Sequence, residues 1–172
     1  MADNLKYKTE YECLVIVKDF INNVYSGVSG SPIEDPYASA TSNSRNIFAQ
    51  IEDEDLSIAR FPKITVSSID GGSRDRIGGG KTEYRERFDY DLSIMYVCSK
   101  SHIWNKDGIK FKGTHQCKRY LQYLGDQLKK YSDKFDEFNQ LVIGSVSNVG
   151  ISADTLQYKA VLPIKVSSYG RV

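Results

Sequence analysis

Two segments of the chain repeat their apolar residues with a helical period. In segment 6–25 the apolar positions are Cys13, Leu14, Val17, Phe20, Ile21 and Val24. In segment 114–131 they are Cys117, Leu121, Leu124, Leu128 and Tyr131. Most of the intervening positions are polar, although Val15 and Ile16 are apolar. Such a pattern is typical of helices that lay one face on a core. The pattern predicts two amphipathic helices, the second with Thr114 as its N-cap.

Four other segments have the alternation or the β-branched composition of strands. They are residues 61–69, 88–98, 139–147 and 156–166. Segment 88–98 alternates apolar and polar residues most strictly, which predicts one buried face and one wet face. Pro163 lacks an N–H and therefore places part of the last strand at a sheet edge or a bulge.

The order of these elements predicts the fold class. Helix, long loop, strand, long loop, strand, helix, strand and strand fit a single α+β domain over residues 1–172. We expect a two-layer sandwich with a mainly antiparallel four-stranded sheet, two helices on one face and long loops. Trp104, in the segment between the second strand and the second helix, is expected to be a packing anchor.

Two long loops follow from this order. Residues 26–45 are rich in Gly, Pro, Ser and Asn, and form either a surface excursion or an arm that orders against a neighbouring subunit. Residues 70–83 form a glycine-rich hairpin loop. Its Gly80-Lys81-Thr82 end resembles that of a phosphate-binding loop, yet Asp75 stands where the first glycine should be. A strand follows it in place of a helix, so the pattern favours a hairpin over a nucleotide site.

Charged residues of both signs surround the hairpin loop. We predict that this loop contacts another protein, because paired charges of both signs set the register of a contact and the choice of partner. The predicted contact residues are Arg74, Asp75, Arg76, Lys81, Arg85 and Arg87. A solvated loop is the second interpretation. Nucleic-acid binding is the third, with nearby aromatic residues as stacking partners. Reversing the charge of Arg74 and Arg76 is expected to change stability by only ~0.5 kcal/mol.

Composition argues against an enzyme and against a cofactor. The 172 residues carry a formal net charge of +1, so no global field indicates a nucleic-acid or membrane partner. Three distant cysteines and two histidines show no zinc or triad spacing and are expected to be ordinary side chains, the thiols reduced and partly buried. Asp70, Asp89 and Asp91 fit the polar face of a strand better than a metal site. No signal peptide or membrane-spanning run is expected.

The layout resembles that of tail-terminator, or tail-completion, proteins of long-tailed bacteriophages and related archaeal viruses. The likeness is carried by the Pro-marked strand FPKITV, the tyrosine-rich strand YDLSIMYV and the closing strand YKAVLPIKV. It extends from about residue 5 to the end, apart from the 26–45 insert.

The resemblance implies a structural protein of the virion tail or neck, assembled in the host cytoplasm. Such proteins form a homo-oligomeric ring, a hexamer, that caps the finished tail tube and joins it to the head-neck connector. The implied partners are other copies of the chain, the tail tube protein and the connector, with DNA passing through the lumen. Another neck or head-completion protein and a small nucleic-acid-binding or nuclease-like domain are the alternatives.

Overall fold

The computed structural model describes residues 8–30, 32–36, 49–52, 62–79, 84–136, 138–152 and 157–171. Its helices are α1 (Glu10–Ile21) and α2 (Gly113–Lys130), with a short 3-10 turn at Ser132–Lys134. Its strands are β1 (Ala49–Ile51), β2 (Lys63–Gly79), β3 (Tyr84–Ser99), β4 (Ile103–Lys106), β5 (Ile109–Lys112), β6 (Gln140–Ile143), β7 (Ser147–Ser152) and β8 (Gln157–Arg171).

Helix α1 confirms the first predicted helix, within narrower limits. Thr9 caps it through a capping box, in which its hydroxyl accepts from the Glu12 N–H and the Glu12 carboxylate accepts from the Thr9 N–H, at 3.3 and 2.7 Å. The helix ends at Ile21 because Asn23 lies in the left-handed region, at φ 60°. Lys8 therefore precedes the helix, and Val24 and Tyr25 follow it.

Helix α2 confirms the second predicted helix, but the predicted N-cap at Thr114 is wrong. Strand β5 runs straight into the helix, and Lys112 occupies the N-cap position without a side-chain cap. Gly113 makes the sharp turn at φ +54°, where a Cβ would lie 3.2 Å from the Tyr158 ring. The helix therefore starts one residue before Thr114.

The sheet confirms an α+β architecture, but not a sheet of four strands. Six strands pair in the order β1-β2-β3-β8-β6, with β7 also on β8, while β4 and β5 form a separate hairpin. Only β1 is parallel to its neighbour; the other pairings are antiparallel. The count differs because β1 comes from a stretch too short to show a period, and because the predicted strand 139–147 is divided between β6 and β7.

Pro163 explains that division and confirms the expected irregularity. Its carbonyl accepts a hydrogen bond from the Gly144 N–H at 2.8 Å, so the side of β8 without an N–H faces the gap between β6 and β7. In a strand, the N–H and the C=O of one residue point to the same side of the strand. A strand that paired regularly with β8 at Pro163 would therefore lack one hydrogen bond, because proline has no N–H to donate. The edge strand therefore breaks at residues 144–146, inside the predicted strand 139–147.

The predicted loop 70–83 is wrong over most of its length. Strand β2 continues to Gly79 and β3 begins at Tyr84, with Gly79 paired to Tyr84. The glycines are absorbed by irregularities in register, including one between Asp70 and Ser73. Gly72 lies there at φ +73°, and a Cβ would come within 2.6 Å of the Asp89 carbonyl oxygen. The hairpin itself is confirmed, and strand follows strand where a nucleotide loop would need a helix.

Both helices lie on one face of the sheet. Side chains from α1 and α2 share one buried cluster with the inward residues of β2, β3 and β8. Trp104 of the β4–β5 hairpin joins that cluster and packs edge-on against Tyr120 of α2 at 5.1 Å. The predicted anchor is confirmed, but the hairpin around it was not expected from the sequence.

The first half of the predicted 26–45 loop packs onto its own chain. The Asn23 side chain bonds both the N–H and the C=O of Ile33, at 3.1 and 3.0 Å. The Tyr123 hydroxyl accepts from the Glu34 N–H at 2.9 Å, and the Tyr120 hydroxyl donates to the Glu34 carbonyl at 2.9 Å. Residues 32–36 are therefore not an arm that needs a neighbour, and residues 37–45 lie outside the described ranges.

Replacing Leu124 tests the packing of α2. Leu124 is fully buried in the common cluster, so Leu124→Ala should lower the free energy of unfolding by ~2–5 kcal/mol. Chemical denaturation followed by circular dichroism measures this change. Val142→Ala is the matched control, because Val142 is 46% exposed and should change stability by ~0.5 kcal/mol or less. Equal losses in both variants would contradict the packing.

Candidate functional site

The predicted protein-contact residues lie on a β-ribbon instead of a loop. We call residues 70–79 of β2, with the facing part of β3, the charged ribbon. It brings Asp75 opposite Arg87 and Arg76 opposite Glu86. The backbone of Arg85 is paired with Gly78 on one side and Arg171 on the other. Lys81 lies outside the described residues.

On the helix-covered side of the sheet, Arg74 holds a buried carboxylate. Its Nε and Nη2 atoms lie 2.6 and 2.5 Å from Glu86 Oε2. Glu86 is only 6% exposed, whereas the Arg74 side chain is about half exposed. The guanidinium also sits 5.3 Å from the centre of the Phe88 ring. Arg74 therefore joins β2 to β3 through a charge and a ring contact.

On the opposite side, Asp89 is bound by its neighbours. Arg87 Nε donates to Asp89 Oδ1 at 2.8 Å, and Ser167 of β8 donates to the same oxygen at 2.5 Å. Burial raises the pKa of Asp89, but the bonds from Arg87 and Ser167 outweigh it, and the net pKa lies below its ordinary value. The carboxylate is thus charged at neutral pH, and its bonds join Asp89 and Arg87 of β3 to Ser167 of β8.

We call this opposite side the bare face, because the two described helices cover the other one. It carries a polar row that includes a Ser67–Ser93 hydroxyl contact of 2.8 Å and an Asp91–Lys165 pair at 3.6 Å. The polar character of this face of β3 is therefore confirmed, but its predicted exposure is wrong, because Asp89, Ser93 and Val97 are buried there. The C-terminal third of β8, which supplies Ser167, was missed because Ser167, Ser168 and Gly170 interrupt the apolar alternation after Val166.

Other reactive side chains serve local structure. Cys13, Cys98 and Cys117 form no disulfide within the described residues and are fully buried, more deeply than predicted. The Cys98 and Cys117 sulfurs lie 3.4 Å apart. Their hydrogen bond, together with burial, raises the pKa of Cys98. His102 Nδ1 lies 2.5 Å from Ser99 Oγ across a turn that the His102 N–H closes on the Ser99 carbonyl. Among the residues that the structure describes, no group of His, Cys, Asp or Glu could hold a metal ion.

A cavity of about 370 Å³ lies between α2 and the β6–β7 break. Its rim carries Gln122, Asp126 and Lys129, and its floor carries Ile143 and Leu162. None of the predicted contact residues lines it. The cavity therefore lies apart from the charged ribbon.

No described helix is long and apolar enough to cross a membrane. The sequence matches no protein-family model, and no curated protein matches it. Function is therefore argued from the geometry of the described residues.

Reversing Arg74 should destabilise the protein, in contrast to the expectation from the sequence. Arg74→Glu would set a second carboxylate against buried Glu86 and cost roughly 1–3 kcal/mol, reduced by the exposure of Arg74. Lys110→Glu is the control, because Lys110 is an exposed strand residue far from Glu86, and it should cost ~0.5 kcal/mol or less. Thermal unfolding of both variants measures the difference. Similar melting temperatures for the two would show that the ion pair with Glu86 does not contribute.

The bonds to Asp89 should affect how the stability of the protein changes with pH in the acid range. Because its folded pKa is lowered, its stabilisation is fully present above the ordinary aspartate pKa of about 3.9 and is lost as pH falls toward the folded pKa. Asp89→Asn should therefore be less stable at pH 7 and lose less stability than the parent between about pH 5 and 3. Melting temperatures across that range measure this. Parallel profiles would contradict the assignment.

Proposed function

We propose that this chain is a structural protein of a virus tail. Its copies form a ring, a hexamer, that terminates the tail tube and joins it to the head-neck connector. The ring belongs to the virion and assembles in the host cytoplasm. It is not an enzyme and uses no cofactor. Its action is steric, because occupying the last ring of the tube removes the site for the next tube subunit.

The observation that carries the proposal is the charged ribbon. Residues 72–76 are all exposed, yet they belong to a paired strand that cross-strand charges hold in register. A preorganised charged surface of this kind loses little conformational entropy when it meets a partner, and its charges select the register of the contact. The ribbon suits a contact with the tube, with a neighbouring copy or with the connector.

The same ribbon argues against a nucleic-acid interface at this position. Arg74 and Arg87 are already bound to Glu86 and Asp89, so their charges are partly compensated before any phosphate arrives. Counterion release from a nucleic acid needs uncompensated cations. Another neck or head-completion protein is the alternative that the ribbon also suits, and DNA in the lumen is a passing contact in both cases.

Electron microscopy of the purified protein tests the proposal. We expect rings of about six copies, because head-to-tail contacts close when the rotation between copies allows it. Added to growing tail tubes, the rings should stop elongation, whereas a neck protein of another kind would not bind the tube end. A protein that stays monomeric, retains DNA in a salt-sensitive way or shows magnesium-dependent nuclease activity lost in Asp89→Ala would contradict it.

A further inference from the structure

The near-zero net charge of the chain conceals two regions of opposite sign. Residues 1–60 contain ten Asp and Glu against five Lys and Arg. Residues 98–134 contain nine Lys and Arg against three Asp. The two remaining stretches balance, with six of each sign in 61–97 and three of each in 135–172. Within the described residues of the first stretch, 8–30, 32–36 and 49–52, six Asp and Glu stand against two Lys. The acidic excess of the described residues therefore lies on and beside α1 and β1, and the basic excess lies on the segment of β4, β5 and α2.

The fold places these two regions toward opposite edges of the sheet. Helix α1 packs on β1 and β2, and its Asn22 side chain bonds the backbone of Ala49 in β1, at 2.9 and 2.6 Å. Helix α2 packs mainly on β8, with further contacts to β3, β6 and the β4–β5 hairpin. Because β1 and β6 end the strand order, α1 and β1 lie apart from α2 and the β4–β5 hairpin along the helix layer. Glu34 is the exception, since it lies against α2 and binds Lys106.

The cations of the basic region are largely uncompensated. We define the basic surface as Lys100, Lys110, Lys112, Lys118, Arg119 and Lys129. Arg119 is half-buried and the other five are exposed, and none of the six forms an ion pair within the described ranges. Trp104 holds the hairpin against α2, so the basic hairpin and the basic helix belong to one rigid unit. Lys106 is left out of the basic surface, because its ammonium group forms an ion pair with Glu34.

Exposed apolar residues accompany both regions. Ile103 and Ile109 of the hairpin are 43% and 57% exposed, and Tyr11 and Val24 in and beside α1 are 60% and 67% exposed. Protein interfaces combine apolar contact with charged groups that fix the partner and its orientation. A phosphate backbone would gain nothing from these apolar residues and would be repelled by the acidic region.

We propose that the basic surface of one copy docks onto the acidic α1–β1 region of the next copy. Because the two regions differ and lie toward opposite edges, the contact is head-to-tail and propagates around a ring. The inference rests on the proposed ring and adds which surfaces join its subunits. The charged ribbon, outside both regions, is left for the tube or the connector.

A pair of charge-reversal variants tests this contact. The basic-reversed variant is Lys110→Glu with Lys118→Glu, and the acid-reversed variant is Glu10→Lys with Glu52→Lys. Each variant alone sets like charges against each other at every contact and should weaken self-association by about tenfold or more at low salt. Mixed in equal amounts, the two should assemble again, because each restores the opposite charge that the other lacks.

Sedimentation velocity measures association at about 0.05 and 0.5 M salt, since screening should weaken the parent contact as well. The control is Lys63→Glu with Lys159→Glu, which makes the same change of charge on the bare face and should assemble like the parent. Circular dichroism melts of all variants check that each remains folded.

The outcomes separate this inference from the proposed ring. Loss in each single variant, recovery in the mixture and an unaffected control support the docking. A parent that forms rings while both variants do the same would overturn the docking and leave the ring intact. A parent that stays monomeric at every salt concentration would overturn both. The parent could instead bind DNA in a salt-sensitive way, with only the basic-reversed variant losing that binding. In that outcome the basic surface binds a nucleic acid and not a second copy, and the docking is overturned.

Discussion

Strand β3 is the constraint on which the rest of the structure depends. It pairs with β2 on one side and with β8 on the other along almost its whole length. Its inward residues, including Leu92, Ile94 and Tyr96, are fully buried beneath the helices. A one-residue slip of this strand would turn those side chains to the bare face, because the side-chain period is two. The apolar alternation of β3 thus sets the register for its neighbours and the face on which the helices pack.

Beyond the helix layer, polar contacts maintain the same register. Glu86 and Asp89 are buried carboxylates, and each is satisfied by an arginine on or across the ribbon. A buried carboxylate without such a partner would be costly, so these residues oppose any other pairing of the ribbon. Glycines and register shifts let β2 bend through this region without leaving the sheet. The result is an exposed but ordered element of mixed charge.

Charge in this protein is distributed according to the elements of the fold. The ribbon is neutral and internally paired, whereas the α1–β1 region is acidic and the α2 region basic. Neutral paired surfaces and uncompensated surfaces suit different contacts, the first selecting register and the second attracting an oppositely charged partner. The proposed ring would need both kinds of contact, one between its copies and another toward the tube or connector. The two surfaces occupy separate parts of the sheet and helix layer, so neither has to serve both purposes.

The amino-acid pattern alone determined both helices, the apolar and polar faces of β3, the anchor at Trp104 and the irregularity at Pro163. Local periodicity suffices there, because one face of each element must be apolar to join a core. Tertiary structure decided the rest. Residues 70–79 are a strand because β3 supplies a partner for a glycine-rich segment that has no preference of its own. Likewise, Glu86 became an ion-paired carboxylate only when pairing between strands brought Arg74 across to it. Asp89 has its ion partner Arg87 on its own strand, and strand pairing added the bond from Ser167.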